Sequence, residues 1–254
     1  MMERKPIRGG KAIWLWVLAI LILPAGLRAD PDAIYLLSES LMEASVDGLP
    51  ADWKPLTFDK IPRHTQYSIE REGDRYAIKA ESNASASGIY REVNIDPKEY
   101  PIIAWRWKVD NILEKADAMK KSGDDYPARL YITFQYDPDQ ASFLEKAKYG
   151  VYKLFFGRYP PKAAINYIWD NRLPKKTIIP NAYTDKAMMI VVESGPSQVG
   201  QWVQEERNLY EDYRKAFSAE PPPIIGIAIM TDTDNTGESA TAHYGEIVLK
   251  RAKP

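Results

Sequence analysis

The sequence predicts a mainly β protein, an antiparallel β-sandwich or jelly roll with two or three inserted α-helices. Three observations predict it. Short segments alternate apolar and polar residues with the period of two that a half-buried strand requires, as in Arg75-Tyr76-Ala77-Ile78-Lys79-Ala80. Turn-formers bound these segments, because many of the 14 Gly and 19 Pro fall between the apolar runs. No Cys is present, so a chain of this length must be held by a packed core and not by disulfides.

Residues 1–29 read as a secretory signal peptide. Arg4, Lys5, Arg8 and Lys11 make a basic start, and an apolar run follows over residues 12–23. Pro24 and Gly26 break that run before Leu27-Arg28-Ala29, so cleavage is expected after Ala29. The run is short for a bilayer span, which makes an uncleaved anchor the lesser reading. No Cys follows it and no Arg-Arg pair precedes it, which argues against a lipid anchor and for export of the unfolded chain. The expected location is periplasmic or secreted, with no stable membrane span once the leader is removed. Residues 30–254 are expected to form a single β-sandwich domain with a helical insertion at about 142–180.

The elements follow in order. Residues 33–43 read as a short amphipathic helix with Ile34, Leu37 and Leu41 on one face. Residues 65–70 and 75–80 alternate on either side of Glu72-Gly73-Asp74, which predicts a hairpin. Further strands are expected at 87–93, 102–109 and 129–136. The denser apolar runs at 187–193 and 224–230 suit strands covered on both faces, and 244–250 is the last. Two segments have helical spacing: 142–156, with Phe143, Ala147, Val151, Leu154 and Phe155, and 201–217, with Trp202, Leu209, Tyr213 and Phe217. Pro221-Pro222-Pro223 stops the second.

Composition removes whole classes of chemistry. The formal net charge is −1, and loss of the basic leader makes the mature chain more acidic, so binding to nucleic acid by charge alone is not expected. Thiolate nucleophiles and Cys-ligated metals are excluded, and two His cannot build a multi-His site. No G-x-S-x-G, phosphate loop or dinucleotide fingerprint occurs. No cofactor is expected.

Three constellations remain. In Trp105-Arg106-Trp107-Lys108 the rings share one strand face and the cations the other. The rings read as core, and the alternative is a groove where aromatic faces stack on sugars. In Gly123-Asp124-Asp125-Tyr126-Pro127-Ala128-Arg129 the adjacent acids precede a strand on which Arg129, Tyr131, Thr133 and Gln135 share a face. That face suits a hydroxyl-rich ligand, or is an ordinary wet face of a sandwich. Thr231-Asp232-Thr233-Asp234-Asn235-Thr236-Gly237-Glu238 begins like a calcium loop, but His243 stands where the bidentate Glu of an EF-hand belongs. It is an Asx-turn connection or a different Ca²⁺ loop.

These motifs carry a resemblance. Ala80-Glu81-Ser82, Ala86-Ser87-Gly88, Trp105-Arg106-Trp107-Lys108-Val109, Gly123-Asp124-Asp125 with Ala128-Arg129, Asn166-Tyr167-Ile168-Trp169, Trp202 with Glu206-Arg207, Asp212-Tyr213 and Thr231-Asp232-Thr233-Asp234-Asn235-Thr236 occur in that order. The set resembles a family of exported bacterial proteins known only as a domain of unknown function. The resemblance implies a sandwich like that of carbohydrate-binding modules and implies no reaction. It also implies one structural Ca²⁺ at the Asp232–Glu238 loop or the Asp124-Asp125 turn; against it, no loop supplies a complete ligand set by itself, and no residue is assigned to metal.

The function these readings predict is a non-catalytic binding module for a polar ligand, a carbohydrate or cell-envelope glycan. Arg106, Arg129, Asn166, Trp169 and Asp232 are the expected ligand-binding residues. One alternative is a polysaccharide hydrolase or lyase drawing its acids from Asp124, Asp125, Glu193 and Asp232. Another is an envelope scaffold protein that uses an apolar patch on the 142–156 segment.

Overall fold

The computed structural model of the protein describes residues 32–38, 42, 48–73, 75–140 and 160–252. The leader and the expected helix at 142–156 lie outside the described residues. Two sheets stack face to face. The first has the order β11(Val203–Asn208)-β6(Ile102–Val109)-β13(Ser239–Lys250)-β4(Arg75–Asn83)-β3(Gln66–Glu72), with β1(Ala33–Leu37) also paired to β13. The second has the order β2(Lys54–Leu56)-β5(Ala86–Ile95)-β12(Ile224–Asp232)-β7(Tyr126–Phe134)-β8(Ala163–Asp170)-β10(Thr184–Ser194)-β9(Ile178–Asn181).

The predicted β-rich sandwich is present, with one correction to its pairing. β8 and β10 run parallel, so the second sheet is mixed and not purely antiparallel. The expected hairpin is formed by β3 and β4, with Glu72 opposite Arg75 and Gly73 at φ +68°. That left-handed conformation is the one a two-residue hairpin turn demands and glycine adopts without strain.

Three helical expectations are corrected. Of the expected helix at 33–43, residues 33–37 are strand β1, whose Ile34 and Leu37 lie opposite Leu249 and Ile247, while 39–41 and 43 lie outside the described residues. Of the segment 142–180, residues 163–170 and 178–181 are strands of the second sheet. Of the segment 201–217, the first half is strand β11, and the helix α1 spans only Leu209–Phe217. In β11, Val203, Glu205 and Arg207 sit opposite Trp107, Trp105 and Ile103, so its true period is two. The helix starts where Asn208 Oδ1 accepts from the Glu211 N–H at 3.0 Å and ends at Ser218, at φ 51°, whose N–H caps the Arg214 carbonyl.

The core fills the space between the sheets. Trp105 and Trp107 of β6 meet Tyr167 and Trp169 of β8, with ring centroids 5.0 Å apart for Trp105–Tyr167 and 6.1 Å for Trp107–Trp169. Leu130, Ile132 and Phe134 of β7 and Ile227 and Ile229 of β12 belong to the same apolar cluster. Packing of Phe134 on Tyr213, 4.5 Å between centroids, docks α1. The tryptophans of the Trp-Arg-Trp-Lys motif are therefore core, and the cations face outward. Arg106 lies 4.3 Å over the Trp202 ring, and glycine at 245 leaves it room, since a Cβ there would stand 2.4 Å from Arg106 Nε.

Trp107 is fully buried. Trp107→Ala should destabilise the fold by about 3–5 kcal/mol, because the surrounding rings cannot collapse into the space left. Met119→Ala, at a 64%-exposed side chain, should shift stability by less than about 0.5 kcal/mol. Urea denaturation of both variants measures the contrast.

Candidate functional site

The outward faces of β7 and β12 create a polar cleft. Alternation on β7 sends Leu130 and Ile132 to the core and Arg129, Tyr131 and Thr133 outward, where they lie opposite Met230, Ala228 and Gly226 of β12. The same alternation explains Thr231-Asp232-Thr233. Thr231 and Thr233 turn inward, where Thr231 Oγ1 donates to the Pro127 carbonyl at 2.9 Å and Thr233 Oγ1 shares a 2.8 Å hydrogen bond with Ser82 Oγ. Asp232 turns outward to Arg129.

Arg129 is 3% exposed and every arm of its guanidinium is engaged. Nε donates to Asp232 Oδ1 at 2.8 Å, and Nη2 closes a second contact with Asp232 Oδ2. Nη2 also donates to the Asp124 carbonyl at 2.9 Å and Nη1 to the Tyr131 hydroxyl at 3.0 Å. Its carbon lies 4.4 Å from the Tyr126 ring centroid. Burial works against the charge, but Tyr131, Asp124, Tyr126 and Asp125 outweigh it and hold the guanidinium above its ordinary pKa.

The Asp pair of the Gly123-Asp124-Asp125 turn splits between two tasks. Asp124 accepts from Asn181 Nδ2 at 2.9 and 3.0 Å and from the Tyr126 hydroxyl at 3.1 Å. Asp125, fully buried, accepts from the backbone N–H groups of Asn235 and Thr236. Asp125 thus clamps the turn that follows Asp234 to the start of β7. Gly237, at φ +72°, closes that turn, its N–H donating to the Thr233 carbonyl at 3.0 Å.

Above this floor lies a cleft of about 630 Å³ lined by Phe58, Lys60, Asp124, Arg129, Tyr131, Tyr183, Asp232, Asp234 and Asn235, among others. Phe58 and Tyr183 stand on its rim, 37% and 56% exposed. Tyr131 is shared with a neighbouring, more apolar hollow of about 200 Å³ that includes Tyr90, Pro160 and Pro161. The two hollows run side by side across the outer face of the second sheet.

Of the expected ligand-binding residues, Arg129 and Asp232 meet in the cleft floor. Asn166 lies on the same sheet face, opposite Tyr131, but is buried to 1% exposure with its Oδ1 lacking a hydrogen-bond partner. Trp169 points into the core, its Nε1 donating to the Gly195 carbonyl at 3.2 Å, and Arg106 lies on the first sheet. Neither joins the cleft. Phe58, Asn181 and Tyr183 were not anticipated. Asn181-Ala182-Tyr183 reads as a turn with an exposed ring, and its membership in the cleft depends on β9 reaching the Asp124 loop, a pairing no local pattern encodes.

Asp125, Asp232 and Asp234 carry carboxylate oxygens within 4.8 Å of one another, and these are the residues able to offer oxygens to a hard cation. Two are already committed, Asp125 to backbone donors and Asp232 to Arg129, so Arg129 itself supplies the positive charge of the cluster. Asp234 is the less buried member. Burial and the neighbouring Asp125 raise its carboxyl above the usual value.

The chain belongs to the family described as "Protein of unknown function (DUF3047)", which matches residues 51–248. No curated protein matches. Among solved structures the chain is similar to the family 11 carbohydrate-binding module of the cellulosomal cellulase Lic26A-Cel5E of Clostridium thermocellum, with 10% identity and a TM-score of 0.43 over 87% of this chain and 95% of that one. It is similar also to the family 30 module of the cellulosomal cellulase Cel9D-Cel44B of the same organism, with 7% identity and a TM-score of 0.43 over 87% and 99%. The CBM22-1 xylan-binding domain of Paenibacillus barcinonensis Xyn10C gives 11% identity and a TM-score of 0.35 over 89% and 100%.

Two outcomes follow from the floor's electrostatics. Arg129→Met leaves Asp232 buried without its partner and should destabilise the fold by about 3–5 kcal/mol, while Arg129→Met with Asp232→Asn should recover part of that loss. Chemical denaturation of the single and double variants tests this. Asp234, with its folded pKa raised, favours folding below the ordinary carboxylate range and opposes it as pH rises through the folded value. Asp234→Asn should therefore raise the melting temperature at neutral pH and give no gain in acid.

Proposed function

We propose that this protein is a non-catalytic binding module for a carbohydrate or other hydroxyl-rich glycan of the cell envelope, that residues 1–29 direct its export to the periplasm, and that the cleft over β7 and β12 is its binding site. The observation that carries the reading is the pairing of an immobile polar floor with exposed aromatic rims. A sugar presents hydroxyls on its edges and apolar C–H on its faces. Tyr183 and Phe58 offer ring faces to the latter, while Lys60, Asp234 and Asn235 at the mouth offer polar groups to the former. A floor whose donors and acceptors are already paired loses little freedom when a ligand arrives.

The same pairing disfavours glycosidic chemistry. A glycosidase needs two carboxyl groups on opposite sides of the scissile bond, one of them free to give a proton. Asp124, Asp125 and Asp232 are each held by protein donors, and Glu193 lies outside the cleft lining. Among the described residues no helix is long and apolar enough to cross a membrane. The apolar-patch reading rests on residues 142–156, outside the described part.

Calorimetry and a glycan array with peptidoglycan fragments and periplasmic glucans test the proposal. Binding should weaken about two- to tenfold in Tyr183→Ala, the loss of one stacked ring, while the fold is kept, since Tyr183 is 56% exposed and gives up one surface hydrogen bond to the Lys121 carbonyl. A folded protein that binds none of these ligands at millimolar concentration overturns it.

A further inference from the structure

Register alone brings two carboxylates to the inside of the sandwich. β11 is an edge strand of the first sheet, and Glu205 lies opposite Trp105. Residues paired across a strand share a face, and Trp105 belongs to the core cluster, so Glu205 points inward. On β10 a bulge between Val191 and Glu193 places Glu193 opposite Trp169, another core residue. A bulge re-aims the side chains that follow it, and here it turns an acid inward at the end of an apolar strand.

Glu193 is 3% exposed. Its Oε1 accepts from Lys175 Nζ. Its Oε2, and Oε1 of Glu205, are out of contact with solvent and have no hydrogen-bond donor, yet the two carboxyl groups lie within hydrogen-bonding reach of each other. Two ionised carboxylates so placed would leave two buried anionic oxygens facing each other without a proton between them, an arrangement in which like charges cannot both persist. A single proton satisfies both oxygens at once.

We propose that Glu193 and Glu205 share one proton, and that this carboxyl–carboxylate hydrogen bond is a pH-sensitive latch tying edge strand β11 of the first sheet to β10 of the second. Burial and the Glu193 charge push the Glu205 carboxyl up to about 7. The other charged groups facing the pair are Lys175, from the β8–β9 connection, and Arg207, from β11 itself; both pull the value down and do not prevail. Arg207 is taken up by Asp212 of α1 at 2.6 and 2.9 Å, and Asp212 also accepts from the Tyr167 hydroxyl of β8 at 2.9 Å. The tryptophans of β6 bring no charge. Release of the latch therefore acts on the strand whose Arg207 also secures α1. The inference is independent of what the cleft binds.

The direction of the pH effect is fixed. The folded state keeps a proton that the unfolded chain releases in the ordinary carboxylate range. Stability from the latch is complete below that range and falls as pH rises, until the folded group has also titrated near 7. Within the window the folding equilibrium constant drops by about tenfold per pH unit.

Infrared spectroscopy of the whole protein, titrated from about pH 5 to about pH 9, reads the proton directly. The expected result is a protonated-carboxyl band that disappears with a midpoint near neutrality in the wild type and is missing in Glu205→Gln, an isosteric amide that keeps a donor toward Glu193. Hydrogen exchange at the β11 amides should quicken above that midpoint in the wild type and show no such step in Glu205→Gln. Lys175→Met removes a cation that favours ionisation, so its midpoint should move up, which tests the latch even if Glu205→Gln folds poorly. A wild type with no such band at about pH 6, a midpoint unmoved in Lys175→Met, or stability–pH profiles that coincide for the wild type and Glu205→Gln would overturn the proposal.

Discussion

Arg129 brings a full positive charge into a region nearly closed to water, and the elements around it are arranged to meet that charge. A buried guanidinium is tolerated only when all its donors find acceptors of the right direction, because desolvation otherwise exceeds the Coulombic return. Asp232 supplies a two-point carboxylate, Asp124 a carbonyl and Tyr131 a hydroxyl. These acceptors come from β12, from the turn before β7 and from β7 itself. Arg129 can be satisfied only if the β7–β12 register is the native one. A slip by one residue would turn Asp232 to the core and Thr231 to the cleft. The ion pair therefore specifies register more than it contributes stability, and the cleft floor inherits its rigidity from that constraint.

The strands that alternate cleanly were legible because burial on one face leaves a visible period. Residues 102–109 coincide with β6, and the hairpin at Gly73 has the chain direction that its turn residues imply. The failures share a cause. β11 looks helical because Glu205 and Arg207 point inward, where a pattern reader assigns polar residues to solvent. β8 is buried over almost its whole length, so Asn166-Tyr167-Ile168-Trp169 shows no alternation at all. Tertiary partners decide both, Asp212 for Arg207 and Tyr131's neighbourhood for Asn166.

The candidate site divides the same way. Arg129 could be nominated from sequence because it shares a polar strand face with Tyr131, Thr133 and Gln135, and Asp232 because it opens an acidic loop; that each is the other's partner appears only in the fold. Asp125, named from sequence as a candidate acid of the hydrolase alternative, is a clamp: its oxygens accept from the N–H groups of Asn235 and Thr236, a contact between segments 110 positions apart. Trp169 and Arg106 were attractive as residue types that bind sugars. Whether a tryptophan stacks on a ligand or on Trp107 depends on which sheet face it occupies, and an unalternating strand does not reveal that.

The sandwich sorts its acids by face, and the sorting determines what each can do. On the outer face Asp124, Asp125 and Asp232 are each held by protein donors and are fixed acceptors. Between the sheets Glu193 and Glu205 have too few donors, and that deficit makes a proton part of the packing. A buried carboxyl with few donors is the one whose charge the protein resists. In this fold the hydrogen-bonded acids underlie the cleft, and the donor-poor pair lies where an edge strand meets the opposing sheet. Chemistry that needs a mobile proton in the cleft would require the reverse placement, with a donor-poor acid on the outer face of β7 or β12. Asp234, whose carboxyl burial and Asp125 push up, sits beyond β12 in the turn held by Asp125. The arrangement therefore gives the cleft a fixed polar floor and sets the donor-poor pair in the seam behind it.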